Sequence, residues 1–265
     1  MKITIAGYGS IGRYQEQAFA GRHQIAVYDP PLGQRDIETL TDTDFVLVCV
    51  PTPAQPDGGC DTSAVEAVVR LACPRVAIVC LSTVAIGTTE RLLRLHAKPI
   101  VFVPEYAGEA ADHPYRDHAA REFFIYGGYE PAVSQVRDLF ADAYPLAVEH
   151  RIVDPTTAET AKYMENAYLA LKVAFCNEVY ELCRRTGVDY ETARDLWTLD
   201  RRIGRSHTRV TAERGYGGKC LPKDVAALIQ TARELGSPLE IIEAARRSND
   251  RLRATAAAPA VAAGG

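Results

Sequence analysis

The residues of this chain with the most capacity for chemistry lie in Gly215-Tyr216-Gly217-Gly218-Lys219-Cys220-Leu221-Pro222-Lys223-Asp224. Cys220 follows a glycine-rich loop and precedes a predicted helix, so Lys219, Lys223 and the helix N-terminus all favour a thiolate. Gly217 and Gly218 let the backbone approach a bound molecule closely. A cysteine so placed is a candidate covalent nucleophile; the plainer reading is an inert thiol in a flexible loop. Asp224 is placed to hold Lys223 or a water, or to cap the helix that begins there. Lys162 and Asn166 stand four apart on a predicted helix and project from one face. A cation and an amide together polarise a substrate oxygen, and the alternative is a surface lysine beside an asparagine. Glu105 and Glu109 follow a predicted strand. Glu105 is a candidate general base for a water, against the alternative of two solvated carboxylates. Thr83, on the loop after the preceding strand, positions a water or makes ordinary turn hydrogen bonds.

A second constellation is Gly7-Tyr8-Gly9-Ser10-Ile11-Gly12, which follows the first apolar run and opens a helix. Glycines there allow a tight turn and close approach to a pyrophosphate, which the free N–H groups of the helix N-terminus then bind. Asp29 ends the second predicted strand, where an acidic side chain accepts bonds from ribose hydroxyls and repels a 2′-phosphate. The pattern predicts NAD rather than NADP. A chance glycine turn with a solvated aspartate is the competing reading.

These residues need a scaffold, and the hydrophobic periodicity supplies one. Lys2–Ala6, Gln24–Tyr28, Phe45–Val50, Val76–Leu81 and Ile100–Val103 are compact β-rich runs, with Glu122–Tyr126 and Leu146–Val148 as two further candidates. Helical stretches such as Ile11–Ala20, Thr62–Ala72 and Thr88–Ala97 lie among them. The class is α/β: a Rossmann-type doubly wound, mostly parallel sheet over residues 1–150, followed by a helical domain over 151–253 and a disordered tail over 254–265. The helical domain is built on one long helix, Thr156–Arg185, capped near Asp154 and ended by Gly187. Shorter helices are predicted at Tyr190–Thr198, Lys223–Leu235 and Leu239–Leu252, with a polar, Arg-rich loop from Asp200 to Lys219.

Composition bounds the partners. A net charge of -4 over 265 residues offers no basic field for nucleic acid. No apolar run reaches the roughly 18–20 residues of a membrane span. The start, MKITIAGYGS, runs straight into the glycine motif, so a cytoplasmic protein is expected. The seven cysteines show no CxxC or Cys/His metal pattern, so no metal is expected and reduced thiols are.

Further segments carry a resemblance. They are Cys49-Val50-Pro51-Thr52-Pro53 with Asp61-Thr62-Ser63, then Leu81-Ser82-Thr83-Val84, then Pro104-Glu105-Tyr106-Ala107-Gly108-Glu109, then Glu159-Thr160-Ala161-Lys162-Tyr163-Met164-Glu165-Asn166-Ala167 with Asn177-Glu178, then Asp200-Arg201-Arg202-Ile203-Gly204. With the Cys220 loop, in this order, the chain resembles the UDP-glucose/GDP-mannose dehydrogenase family. The resemblance implies NAD-dependent oxidation of a primary alcohol to a carboxylate on a nucleotide sugar or a related nucleotide or nucleoside, through a thiohemiacetal and a thioester on Cys220. It implies that Lys162, Asn166 and a water near Thr83 and Asp224 assist the first proton loss, that Lys162 stabilises oxyanions and that Glu105 activates the hydrolytic water. It implies cofactor contacts from Gly7, Gly9, Ser10, Ile11, Gly12, Asp29, Val50, Pro51, Thr52 and Thr83. Substrate contacts are implied for Glu105, Tyr106, Glu109, Lys162, Asn166, Tyr216, Gly217 and Gly218, and for Arg202, within one subunit or across a subunit interface. A homodimer through the long helix is implied as well, and a helix of about 45 Å is hard to cover within so small a helical domain.

The sequence departs from the family in places. Val103 stands where Asn is usual, Tyr8 and Ser10 are unusual neighbours in the glycine motif, and the loop from Arg202 to Cys220 is slightly longer. The expectation is a short form without the family's third, nucleotide-binding domain, with a smaller or unusual substrate. Two rivals stay open: a two-electron dehydrogenase like the β-hydroxyacid group, which also carries a Lys-x-x-x-Asn pair on a long helix, and a non-catalytic NAD-binding partner of a full-length enzyme. The Asp29 reading predicts that NADH binds more tightly than NADPH in a fluorescence titration. The reverse order would remove Asp29 from ribose recognition.

Overall fold

A computed structural model describes residues 1–108, 113–145 and 147–257. Contacts divide the chain into two compact units, Met1–Gln55 with Cys60–Lys162, and Pro56–Gly59 with the chain from Tyr163 onward.

The first unit is a seven-stranded sheet of β1 (Lys2–Ala6), β2 (Gln24–Tyr28), β3 (Phe45–Val48), β4 (Ala77–Cys80), β5 (Ile100–Phe102), β6 (Phe123–Gly127) and β7 (Glu149–Val153), in the order β2-β1-β3-β4-β5-β6-β7. Strands β1 to β5 pair in parallel. Strand β6 meets β5 antiparallel at Phe102 and Gly127, and β7 runs parallel to β6. The predicted Rossmann-type α/β class is the observed one. Strands β3, β4 and β5 are buried on both faces, which is why they read as unbroken apolar runs. Helices α1 (Ser10–Phe19), α2 (Ser63–Leu71), α3 (Thr88–His96) and α4 (Ala132–Ala143) cover the sheet. One layer of core packs Ile3, Ile5, Leu47, Val79 and Val101 against Phe19, Phe124 and Phe140. The other packs Val46, Val48, Ile78 and Phe102 against Val65, Val69 and Leu92.

Two features depart from the sequence reading. The last strand is Glu149–Val153, not Leu146–Val148, and Leu146 lies outside the described residues. Strand β7 is a sheet edge with mostly exposed side chains, so it needs no apolar run. The crossover from β2 to β3 contains only short 3-10 turns, Pro30–Leu32 and Ile37–Leu40, where such crossovers usually carry an α-helix.

The long helix α5 runs Pro155–Thr186. Asp154 caps it by accepting the Thr157 N–H at 2.9 Å, and Gly187 leaves it at φ +74°. The second unit adds α6 (Tyr190–Trp197), α7 (Leu221–Glu234) and α8 (Glu240–Ala257). Its core joins Ala170, Val173 and Ala174 of α5 to Val225, Ile229 and Ala245. Helix α8 continues into the segment expected to fray, and residues 258–265 lie outside the described residues. Among the described residues, no helix is long and apolar enough to cross a membrane.

Glu159 joins helix to sheet. Fully buried on the first turns of α5, its carboxylate accepts the N–H groups of Gly87 at 2.6 Å and Thr89 at 2.8 Å, and so caps α3, whose own N-cap residue is a glycine. Burial pushes its pKa above the usual glutamate value. A raised folded-state pKa adds stability that is present below the unfolded value and lost as pH rises through the folded one. Glu159→Ala should lower stability by about 1–2 kcal/mol, read as a Tm drop of about 5 °C. The stability margin of the wild type over Glu159→Gln should shrink as pH rises from about 4 to 7. A margin that grows over that range would contradict the burial argument.

Candidate active site

The glycine turn after β1 separates into two structural positions and one open one. Gly7 has φ +93°, and a Cβ there would lie 2.7 Å from the backbone of Cys49. A Cβ on Gly12 would lie 2.2 Å from the Gly7 carbonyl oxygen. Gly9 is different: a Cβ there would meet nothing within 4 Å, so the turn is clear of protein at this point. Gly9 is also the N-cap of α1, and no side chain caps that helix. Ser10 and Ile11 form its first turn. Asp29 lies at the turn, where Oδ2 accepts the Tyr8 N–H at 2.7 Å and Oδ1 the Leu32 N–H at 3.3 Å. An open glycine, an uncapped helix N-terminus and an adjacent carboxylate fit a dinucleotide: phosphate at Gly9, Ser10 and Ile11, ribose at Asp29. The next crest is braced from below. The Ser82 hydroxyl donates to the carbonyl of Val50 at 2.7 Å and faces that of Val48 at 3.2 Å, while buried Thr52 donates to the Thr83 carbonyl at 2.7 Å. Pro51, between them, is exposed.

Beyond β5 the chain turns at Glu105, whose buried carboxylate is heavily engaged. Oε1 accepts from the N–H groups of Tyr106 and Ala107, both at 2.7 Å, and from Arg121 Nη1 at 2.8 Å. Oε2 accepts from Gln15 Nε2 at 2.6 Å. Oε1 thus carries three donors and Oε2 one, which makes Oε2 the less engaged oxygen. Glu109 lies outside the described residues. Lys162, on α5, is buried with its ammonium 4.0 Å from the centroid of the Tyr106 ring.

In the helical unit, Asn166 donates to Asp224 Oδ2 at 2.5 Å, and Lys223 Nζ lies 2.5 Å from Asp224 Oδ1. Buried Asp224 thus holds Lys223, one of the roles weighed for it, and takes one of the two amide N–H groups expected to face a substrate. Cys220 is exposed at the N-cap of α7, with Pro222 in the first turn behind it. The loop that leads to it is clamped. Asn177 Oδ1 accepts from Arg214 Nε at 2.9 Å and from the Gly215 N–H at 3.0 Å. Asn249 takes both sides of Tyr216, its Oδ1 accepting the N–H at 2.6 Å and its Nδ2 donating to the carbonyl at 3.1 Å. Gly215, at φ +60°, is required by these partners, since a Cβ would lie 2.3 Å from Asn249 Oδ1, while one on Gly217 would meet only the mobile end of Arg253. Gly218, at φ +76°, is open.

The Tyr216 ring is buried in the helical core with Val173 and Ile229, because a ring next to a clamped glycine is drawn into the nearest apolar layer. Arg202 is 88% exposed and bonded to Asp200, two residues before it. Neighbouring Ile203 and Gly204 are fixed by buried Lys172, which donates to their carbonyls at 2.9 and 2.7 Å.

The geometry can now be set beside known proteins. Residues 156–251 match the central domain of the UDP-glucose/GDP-mannose dehydrogenase family, and residues 32–134 match its NAD binding domain. A UDP-glucose 6-dehydrogenase of Rhizobium meliloti is 30% identical, covering all of this chain and 71% of its own length. The chain belongs to the UDP-glucose/GDP-mannose dehydrogenase family. A UDP-glucose 6-dehydrogenase of Pseudomonas aeruginosa is 36% identical over 81% of this chain and 50% of its own. The chain spans about half the length of most curated relatives it matches. Among solved structures, a UDP-glucose dehydrogenase from Pyrobaculum islandicum superposes with a TM-score of 0.82 at 26% identity, over 94% of this chain and 68% of that one.

Membership in the UDP-glucose/GDP-mannose dehydrogenase family makes NAD the cofactor. The matched NAD-binding segment begins at residue 32, after the glycine turn, so the turn's assignment rests on its own geometry. Sequence reasoning did not find Arg121, Gln15, Lys172, Arg214 or Glu159 as supports. Asn177 lies in a segment that carries the family pattern, and its burial beside a glycine loop, like that of Asn249, explains its presence. Asn249→Ala leaves a buried N–H and carbonyl of Tyr216 without partners, a cost of about 2 kcal/mol. Trypsin should then cut after Arg214 about tenfold faster or more, with NAD affinity unchanged. An unaltered cutting rate would show that the clamp does not hold the loop.

Proposed function

We propose that this chain oxidises a primary alcohol of a nucleotide sugar, or of a related nucleotide or nucleoside, to the carboxylate, with Cys220 as the covalent nucleophile. The observation that carries the reading is Cys220 itself, exposed at the head of α7 and delivered by a loop clamped on both sides. A two-electron alcohol dehydrogenase has no use for such a thiol.

NAD, when bound, supplies the hydride acceptor for both oxidations. In the first, the substrate carbon gives up a hydride and its hydroxyl a proton, with Lys162 and the second N–H of Asn166 as donors to the oxygen. The family resemblance assigns Thr83 and Asp224 to the water that takes the proton. The Cys220 thiolate then adds to the aldehyde carbon, forming a C–S bond and a tetrahedral oxyanion that Lys162 stabilises. Loss of a second hydride leaves a thioester. Glu105, through Oε2, takes a proton from water, which adds to the thioester carbon. The C–S bond breaks, carboxylate leaves and the thiolate is restored. Two hydrides depart per alcohol, and the second oxygen of the product comes from water. Arg202, Tyr216, Gly217, Gly218 and Glu109 remain assigned to the substrate side.

The partner in this reading is a second copy of the chain. Met164, Tyr168, Phe175 and Leu182 are exposed on α5 at offsets of four, seven and seven residues, so they form one apolar stripe. Beside it a cavity of about 260 Å³ is lined by Tyr168, Phe175, Trp197 and Ile203. A homodimer buries that stripe and places Arg202 near the other copy. Sedimentation should give a dimer, and Phe175→Asp with Leu182→Asp a monomer; a monomeric wild type would remove the dimer.

The chemical test is NADH counted per substrate consumed, over a panel of nucleotide sugars, nucleotides and nucleosides. Two NADH and a product heavier by one oxygen and lighter by two hydrogens are expected. Cys220→Ser should lose carboxylate formation by several orders of magnitude. One NADH per substrate would replace this reading with simple alcohol oxidation, and full carboxylate turnover by Cys220→Ser would remove the thioester. Tight NAD binding without turnover of any alcohol would mark the chain as a binding partner.

A further inference from the structure

Lys162 is buried, and burial strips water from an ammonium at large cost unless the charge finds compensation. Part of the compensation here is an aromatic face: Lys162 Nζ lies 4.0 Å from the centroid of the Tyr106 ring, well inside the range of a cation–π contact. The ring itself is tightly held. Tyr106 is buried and meets Phe123 edge-on at 4.9 Å. Its backbone N–H is bonded to Glu105, whose carboxylate is locked by Arg121. The Arg121 side chain is fully buried, its guanidinium 4.5 Å from the Phe124 ring and 5.2 Å from Tyr106 itself, with Nε donating to the Phe123 carbonyl at 3.0 Å.

These contacts form one chain of constraint from Arg121 through Glu105 to the Tyr106 backbone and from the ring face to the ammonium. We infer that Tyr106 is a positioning residue for Lys162, its ring a platform that fixes where the ammonium sits, with the Arg121–Glu105 pair holding the platform. The inference rests on the reading of Lys162 as the oxyanion-stabilising cation. It moves the Tyr106 ring from the substrate side to the support of Lys162. Such a platform needs an aromatic face and not a phenol, so phenylalanine serves equally.

Two measurements separate this from a plain core role. In steady-state assays Tyr106→Phe should keep kcat within about twofold. Tyr106→Leu, similar in volume to a packed core residue but without a π face, should lower kcat about tenfold, with the dissociation constant for NAD and the Tm close to wild type. The second measurement needs no turnover. The chain has six lysines, so lysine-selective ¹³C labelling gives a simple spectrum in which Lys162→Arg assigns residue 162. Ring current should move the Lys162 ε-methylene protons well upfield of the other five in the wild type and in Tyr106→Phe, and Tyr106→Leu should return them to the group. Arg121→Met should scatter the same signal, and the Tyr106 pair decides the matter if that variant fails to fold. An unshifted Lys162 in the wild type, or an unchanged kcat in Tyr106→Leu, overturns the inference. A shifted signal in a protein that oxidises no alcohol keeps the platform and removes the proposed reaction instead.

Discussion

Loops that approach a substrate leave the ladders of sheet and helix, and their backbone N–H and carbonyl groups must still be paired once buried. This chain meets the requirement with buried polar side chains. Glu105 pairs the N–H groups of Tyr106 and Ala107 in its own loop and is itself held by Arg121 and Gln15. From neighbouring elements, Glu159 pairs those of Gly87 and Thr89, Asn177 that of Gly215, and Asn249 both sides of Tyr216. Lys172 and Ser82 do the same for carbonyls at 203–204 and at Val48 and Val50. These loops are therefore fixed by residues distant in sequence, and their shapes depend on them as well as on local sequence.

That dependence explains what could be read from the sequence and what could not. Strand periodicity, the α5 helix and its Asp154 cap are local properties, visible in apolar spacing and in a single capping residue. So is the glycine turn, because φ at Gly7 and the contact at Gly12 admit little else. Strand β7 was not legible: an exposed edge strand has no inward-facing requirement, and Glu149-His150-Arg151 carries none of the pattern. Arg121 left no signature either, since an arginine is buried only by partners far off in sequence, here Glu105 and four aromatic rings. The burial of the Tyr216 ring was not legible, because a motif shows that a residue is near the nucleophile and not which way it points.

The supports also differ in kind, and the difference bears on chemistry. Asparagines hold the nucleophile loop, and a carboxamide both donates and accepts without titrating, so the clamp is indifferent to pH. Charged groups hold the other loops and pay for burial: desolvation raises the Glu159 pKa and lowers that of Lys172. An uncharged clamp next to Cys220 avoids placing a further fixed charge beside a thiol whose reactivity depends on its electrostatic surroundings.

Lys162 follows from the same reasoning. An ammonium meant to stabilise an oxyanion must hold its place as well as its charge. The Tyr106 face favours the cation through its quadrupole and fixes where it sits. Burying Arg121 among four rings to hold one glutamate and one tyrosine is costly for stability alone, since an ion pair in an apolar setting is often no better than its hydrophobic replacement. The cost is intelligible if what it fixes is the ring beneath Lys162.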